Sequence, residues 1–348
     1  MAVKWGVIGC GGIAYRRTIP EGIAASPEAE LAAVMDVDSG LARKAGEEFS
    51  GKAYGSEDEL LKDEEVEAVY VATPAYLHGE QVVKAAEAGK HVLCEKPMGL
   101  TLEDCANMID ACKKNNVRLG VGFMMRFHSY HRKAAEMIKA GMLGKITFVR
   151  GQLSCWYPDM EGAWRQDPAR GGGGSLIDMG NHCIDVLEDI LGSRVSEVSC
   201  FADTLVNNYP VEDTAIVMMK FENGALGVVD SCFSVPDASS KNRLELYGSG
   251  GSILAEGTLG QAPDGDMKAF LEEAGGYDAA QAREVSGGGR EIKPEPVNTY
   301  RAEIEEMCRA IMEKREPGIS GEDGLWSQKV MLACYESART GKAVSLKE

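Results

Sequence analysis

The sequence predicts an α/β protein in two parts: a doubly wound parallel sheet at the N-terminus, then an α+β domain built on a large antiparallel sheet. Three observations carry this. An apolar, β-branched run empties into a glycine cluster within residues 4–14, strands and helices then alternate as far as residue 122, and from about residue 145 apolar residues recur at every second position. The expected division is residues 1–122 and 123–348, and a chain of 348 residues is long enough for two sizeable cores.

The first element is Lys4-Trp5-Gly6-Val7-Ile8-Gly9-Cys10-Gly11-Gly12-Ile13-Ala14, which reads as strand, tight turn and helix. Gly9 allows the sharp turn, Gly11 removes the side chain that would hold a pyrophosphate off the backbone, and Ala14 is small enough for close helix–strand packing. Gly12 completes the glycine cluster and Ile13-Ala14 opens the helix, whose free N–H groups would face the phosphates. Glycines after a strand also make plain turns, so the context matters. The run Glu30 to Asp36 is a second strand that ends in a carboxylate, a little beyond the spacing of roughly 20 residues expected of the acid that binds the ribose. Asp36 has no Arg or Lys beside it in sequence, so it would accept from the ribose hydroxyls and repel a 2′-phosphate. NAD is therefore expected, with NADP the less favoured cofactor.

Helical stretches follow over 39–49 and 56–61, then the apolar strand from Val66 to Thr73, stopped by Pro74. Helix 77–88 closes at Gly89, strand 91–97 runs into Glu95-Lys96-Pro97, and helix 101–115 starts with Thr101 and Asp104 at capping spacing. Strand 118–123 ends the series. Ligands of such a sheet gather at the carboxyl ends of its strands, where Gly9, Asp36, Thr73, Glu95 and Lys96 all fall.

Beyond residue 145, stretches 146–153, 195–205, 215–221 and 225–233 alternate at period two, and Asn223-Gly224 joins the last pair as a hairpin. Stretches 244–247 and 252–255 form one more pair. Residues 261–298, rich in Gly, Asp and Glu, read as an excursion off the sheet with no assigned chemistry, and helices 300–314 and 322–340 close the chain. Between the two sheets, Trp164-Arg165 is followed by the run Gly171 to Gly174, read as a flexible loop entering a helix. On that helix Asp178 and His182 are four apart and share a face. Asp185 reads either as a partner of His182 or as a solvated position.

Composition excludes several classes. A net charge of −17 argues against nucleic acid and anionic membrane surfaces. No apolar run approaches the ~20 residues of a membrane span, and a strand at the very start leads to an expectation of no signal peptide. The ten cysteines form no C-x-x-C pair and no Cys/His set at zinc spacing, so reduced thiols, no metal centre and a cytoplasmic setting are expected.

Oxidation of an alcohol by a nicotinamide needs a base for the hydroxyl proton and a group that polarises the oxygen. His182 suits the first role, with Asp178 to fix its tautomer, and Lys96 suits the second. Taken singly, Lys96 also reads as a surface lysine and the Asp178/His182 pair as an ordinary helix pair.

These pieces together resemble the glucose-fructose oxidoreductase / inositol dehydrogenase (Gfo/Idh/MocA) family. The matching stretches are the glycine turn, Ala72-Thr73-Pro74 with His78, Gly89 through Glu95-Lys96-Pro97, and Gly122 to His128. Trp164-Arg165, Asp178-x-Gly180-x-His182 and Glu336 through Lys342 complete the set. The resemblance implies a Rossmann domain and a C-terminal domain whose antiparallel sheet is open on one face, through which members form homodimers or homotetramers. It implies that Lys96 touches both nicotinamide and substrate hydroxyl, that His182 is the general acid/base, and that Asp178 binds substrate or supports the proton path. Thr73, Pro74, His78 and Glu95 join the expected cofactor set, with Trp164 and Arg165 closing over it. Arg126, His128, Tyr157 and Tyr300 are expected substrate contacts. The expected function is interconversion of a secondary alcohol and a ketone on a neutral sugar, a glycoside or a cyclic polyol. A lyase or glycosidase-like enzyme that recycles NAD in place shares the same residues, and a non-catalytic NAD-sensing regulator is the third reading.

Overall fold

The computed structural model describes residues 2–271 and 289–347. Two compact units are present: Met1–Met124 with Met160–Gly174 and Asn298–Lys329, and Met125–Asp159 with Ser175–Val297 and Val330–Glu348. The first break falls close to the expected 122/123, but a simple two-way division is corrected, because two later segments return to the first unit. The cause is apolar burial. Ile304, Met307 and Cys308 lie in the core beside Trp5, Val7 and Tyr70.

Helices are numbered along the chain: α1 (Ser39–Phe49), α2 (Glu57–Leu61), α3 (His78–Glu87), α4 (Leu102–Lys114) and α5 (Ser129–Lys139). There follow α6 (Pro168–Gly171), α7 (Asn181–Leu191), α8 (Thr299–Glu313) and α9 (Gly321–Thr340). Among the described residues no helix is long and apolar enough to cross a membrane.

The first unit holds a parallel sheet of β1 (Val3–Ile8), β2 (Ala29–Met35), β3 (Lys52–Tyr54), β4 (Ala68–Val71), β5 (His91–Glu95) and β6 (Leu119–Gly122). Its order is β3-β2-β1-β4-β5-β6, so the winding reverses between β1 and β4 and leaves a crevice at their carboxyl ends. The helix after the glycine turn, Ala14–Ile23, is wound in π turns, with the Ala24 N–H reaching Ile19 O at 2.8 Å. Pro20 sits inside it and has no N–H to give an α-helical ladder, which the wider winding accommodates. At α4 the Thr101/Asp104 capping box is formed as its spacing predicts.

The second unit holds β7 (Ile146–Ser154), β8 (Val195–Asp203), β9 (Thr214–Phe221), β10 (Leu226–Cys232), β11 (Arg243–Gly248) and β12 (Gly251–Glu256). It continues with β13 (Asp266–Leu271), β14 (Arg290–Glu291) and β15 (Val344–Ser345). Their order is β14-β13-β12-β11-β7-β10-β9-β8-β15, antiparallel except for β7 and β10, which run parallel. One face is covered by α7, packed so closely that a Cβ on Gly151 would lie 3.1 Å from Cys183 Cβ. The other face exposes Phe201, Ile216, Met218 and Leu226.

The expected excursion at 261–298 is corrected in part. Residues 266–271 pair with β12 and residues 290–291 pair with β13, so both belong to the sheet. Met267 and Ala269 are buried while Asp266 and Lys268 are exposed, a period-two signal too short to stand out within a polar stretch. Residues 272–288 of that excursion lie outside the described residues.

Candidate active site

Gly9 follows β1 at φ +86°, and a Cβ there would lie 2.9 Å from Thr73 N, so no side chain fits. Its N–H donates to Met35 O at 2.9 Å, as does that of Cys10 at 3.2 Å, which ties the turn to the end of β2. Gly12, at φ +52°, faces open space, and a Cβ on Gly11 would come within 3.7 Å of Asp36 Oδ2. Backbone is thus laid bare on the side toward Asp36, at the start of a helix. A dinucleotide phosphate needs such a cradle, and the residues present fit it.

The cradle opens into a cavity of about 390 Å³ within the first unit. Its wall includes all four glycine-turn residues expected to meet a cofactor, Gly9, Gly11, Gly12 and Ile13, together with Asp36 from the end of β2. Thr73, Pro74 and His78 follow β4, Glu95 and Lys96 end β5, and Trp164 and Arg165 come from the later segment. Arg16, Tyr76, Gln81 and Arg170 also line it, and sequence reasoning missed them. Tyr76 in the turn after Pro74 and Gln81 on α3 lie within two turns of Pro74, so the carboxyl-end rule extended that far along the chain could have found them. Arg170 carries no such signal. Its guanidinium sits 5.7 Å over the Tyr76 ring through tertiary folding alone.

Asp36 Oδ1 accepts from Asp38 N at 3.0 Å, while Asp38 caps α1 by accepting from Gly40 N and Leu41 N. Asp38 is thereby occupied, and Asp36 is the acid that faces the cavity. The sequence puts no cation beside Asp36, but folding brings Arg16 into the wall of the same cavity.

Behind Lys96, the Glu95 carboxylate accepts from Tyr70 Oη and from the Lys96 N–H at 3.2 Å. Gly122 makes room for it, since a Cβ there would meet Glu95 Oε1 at 3.2 Å. Burial pushes the Glu95 carboxyl up, against the pull of the Tyr70 hydrogen bond and the Lys96 charge. Glu303 on α8 is buried next to it with neither oxygen hydrogen-bonded among the described residues, and burial and the Glu95 charge hold its carboxyl well above the ordinary range.

The expected flexible glycine loop is corrected. Asp167 caps α6 through Ala169 N with Pro168 at the first helical position, and Gly172 ends the helix at φ +84°. Gly171 is buried, and a Cβ on it would lie 3.0 Å from Arg165 Cα, so the run is packed structure that fixes the Trp164–Gln166 turn. Arg165 stacks on Trp164 at 4.2 Å.

In the second unit the helix bearing Asp178 and His182 begins as a π turn, Leu176–Gly180, with Asn181 N–H bonded to Leu176 O, and continues as α7. A Cβ on Gly180 would lie 2.9 Å from Leu176 Cδ1, so a larger residue there would have to displace the Leu176 side chain. From Leu176 to Glu188 every residue is buried except Asp178 and His182, which are half-exposed. Asp178 and His182 are thus the two partly exposed side chains of that otherwise buried stretch.

Other expected residues have internal partners. Asp185 is buried and takes the Arg126 guanidinium on both oxygens, with Nε at 3.1 and 3.0 Å and Nη2 at 2.6 Å from Oδ1. A solvated Asp185 is thus corrected: Arg126 neutralises it inside the unit. His128 is fully buried, caps α5 by accepting from Tyr130 N, and faces Ala262 O at 3.2 Å. Tyr157 is half-exposed, tilted on Phe233 with centroids 4.8 Å apart, and its carbonyl accepts from Tyr209 Oη. Tyr300 lies 2% exposed under Arg17, so a substrate contact there is corrected: the ring is part of the first unit's core.

The family model described as an oxidoreductase family with an NAD-binding Rossmann fold matches residues 3–123, and that of the GFO/IDH/MocA C-terminal domain matches residues 131–254. The chain belongs to the GFO/IDH/MocA oxidoreductase family. Two relatives of this GFO/IDH/MocA protein match it over 99% of its length. The 1,5-anhydro-D-fructose reductase of Ensifer adhaerens is 30% identical over 345 residues, 99% of this chain and 98% of that protein. The D-xylose 1-dehydrogenase (NADP(+)) 2 of Haloferax volcanii is 31% identical over 349 residues, 99% and 100% of the two chains. Among solved structures, the aldose-aldose oxidoreductase of Caulobacter crescentus complexed with glycerol superposes with a TM-score of 0.88 at 28% identity, covering 99% of this chain and 100% of that one. This is an NAD-binding oxidoreductase with a Rossmann unit and a mixed, mostly antiparallel second sheet.

Proposed function

We infer that this GFO/IDH/MocA protein interconverts a secondary alcohol and a ketone on a neutral sugar, a glycoside or a cyclic polyol, using NAD. The observation that carries the inference is the cavity that joins a glycine cradle and Asp36 to Lys96. The relatives named for anhydrofructose and xylose chemistry support the substrate class.

Gly9, Gly11, Gly12 and Ile13 would hold the phosphates and Asp36 the ribose, with Trp164 and Arg165 covering the nicotinamide end. Bound NAD supplies the acceptor for the hydride that leaves the substrate carbon. The Lys96 ammonium donates to the substrate oxygen and stabilises the negative charge that grows there. His182 takes the hydroxyl proton, and the Asp178 carboxylate steadies the imidazolium that results. Tyr157 contributes a half-exposed ring to the substrate side. Arg126 and His128 serve that side by holding α5 and α7 in place rather than by contact. The ten cysteines, all free thiols, support a reducing, cytoplasmic setting.

The test is an absorbance screen at the reduced-nicotinamide band, with NAD and NADP offered separately across hexoses, glycosides and inositols. Growth of the band with one of these substrates is expected. Product formed without net NADH would replace this function with the NAD-recycling reaction. Within the same screen, Asp36→Ser should raise the NADP/NAD ratio of kcat/KM by about tenfold or more, because the carboxylate that repels a 2′-phosphate is gone and Arg16 remains. An unchanged ratio would remove Asp36 from cofactor choice.

The open sheet face supports self-association. Phe201, 69% exposed, pairs across β8 and β9 with exposed Ile216, two residues from exposed Met218. A contiguous apolar patch of this kind on a regular sheet suits burial against a second copy. Light scattering should report a dimer or tetramer for the wild type and a smaller species for Phe201→Glu with Met218→Lys, with circular dichroism unchanged. A monomeric wild type would overturn it.

A further inference from the structure

We propose that His78 is a positioning residue that ties together the two turns forming one wall of the cofactor cavity, Thr73-Pro74 after β4 and Lys96-Pro97 after β5. The proposal rests on Lys96 being the group that meets the substrate oxygen. The His78 ring is 1% exposed, with Nε2 2.9 Å from Thr73 O and Nδ1 3.0 Å from Pro97 O. Both nitrogens are engaged inside the protein. The ring thus serves the nucleotide by shaping its cavity, which is a different task from ligating it.

Each carbonyl belongs to a turn with a functional neighbour. Thr73 sits against the glycine turn, where its N–H nitrogen lies 2.9 Å from the place a Cβ on Gly9 would occupy, and its Oγ1 donates to Gln81 Oε1 at 2.5 Å. A shift of Thr73 therefore changes the cradle. Pro97 follows Lys96 directly, so a shift of the Pro97 carbonyl moves the backbone from which the ammonium projects. His78, as the first residue of α3, reaches both from one fixed point.

A neutral imidazole has one N–H for these two oxygens, whereas an imidazolium would donate to both. The charged and polar groups around the ring are Arg165 from the later segment, Lys96 and Glu95 at the end of β5, Gln81 on α3, and Asp104 of α4 against the adjacent Gly79. Burial opposes the extra proton more strongly than the carbonyls favour it, and Arg165 adds to the opposition, so the ring titrates below the ordinary histidine value. At neutral pH it donates to one carbonyl in a single tautomer and packs its bare nitrogen against the other.

Amide replacements separate the two contacts. His78→Asn sets a polar group near the place of Nδ1 and keeps the Pro97 contact while giving up the Thr73 one, and His78→Gln sets one near the place of Nε2 and keeps the Thr73 contact while giving up the Pro97 one. His78→Asn should weaken NADH binding, read by fluorescence titration, about tenfold with a smaller effect on kcat. His78→Gln should do the reverse, lowering kcat about tenfold with NADH affinity retained. A purely structural histidine would lower the melting temperature of both without that split. Equal losses in both readouts, or none, would overturn the proposal. Nitrogen-15 NMR of the wild type adds a readout that needs no substrate, with the His78 signal assigned among five histidines by its loss in His78→Gln. One tautomer that does not titrate near neutrality is expected, and a ring that titrates at about 6.5 with averaged tautomers would refute the bridge. The NADH and NMR arms hold even if no substrate is turned over, so a failure of the sugar reading is distinguishable from a failure of this one.

Discussion

Replacing His182 by Ala should lower turnover by about 10²–10⁴-fold, the range for a lost acid/base group, and leave NADH affinity unchanged. The separation follows from where the residues lie. The cavity is lined by the first unit alone, whereas His182 stands on the helix of the second. Its half-exposed side chain leaves the buried stripe of α7 intact when truncated. A neutral imidazole is the form that accepts the proton, so wild-type kcat/KM for oxidation should fall on the acid side, and that limb should vanish in His182→Ala. Steady-state rates against pH, with NADH affinity from fluorescence, check both parts. Unchanged turnover would remove His182 from the chemistry.

Lys96→Met should cost about 10²–10³-fold in kcat, the usual loss when a charged donor at a developing oxyanion is removed. Methionine keeps most of the length and none of the charge. The loss should appear in kcat more than in KM, because the ammonium is worth most when the oxygen carries charge. A second effect follows from the neighbour. Lys96 is one of the charges that hold the buried Glu95 carboxyl down, so its removal should push Glu95 further up. Lys96→Arg should not restore the rate, since a planar guanidinium on a longer stem places its donors elsewhere. Full activity in Lys96→Met would exclude the polarising role.

Much of the first unit was legible in the sequence because its signals are local. Gly9, Asp36, Thr73, Glu95 and Lys96 each end a strand, and parallel winding brings strand ends to one edge whatever the details of packing. The capping pair Thr101/Asp104 is legible for the same reason, since both partners lie within one turn. Long-range partners were not legible. The Arg126–Asp185 pair joins positions 59 residues apart, and no spacing rule links them. Ile304, Met307 and Cys308 recur at helical spacing, but periodicity states only that a face is buried and not which sheet buries it. Hence α8 was expected in the second domain and packs in the first.

The sequence by itself determined the two sheet types and the glycine cradle with its acid, because each depends on chemistry within a few residues. Only the tertiary structure decided how those pieces are held. It returned segments 160–174 and 298–329 to the first unit, turned a glycine run into a packed cap under Arg165, and opened the Asp178/His182 helix as a π turn. It also set His78 between two carbonyls. Each of these depends on which distant groups fill a gap of one side chain or satisfy one buried polar atom, and a chain read residue by residue contains no such distances.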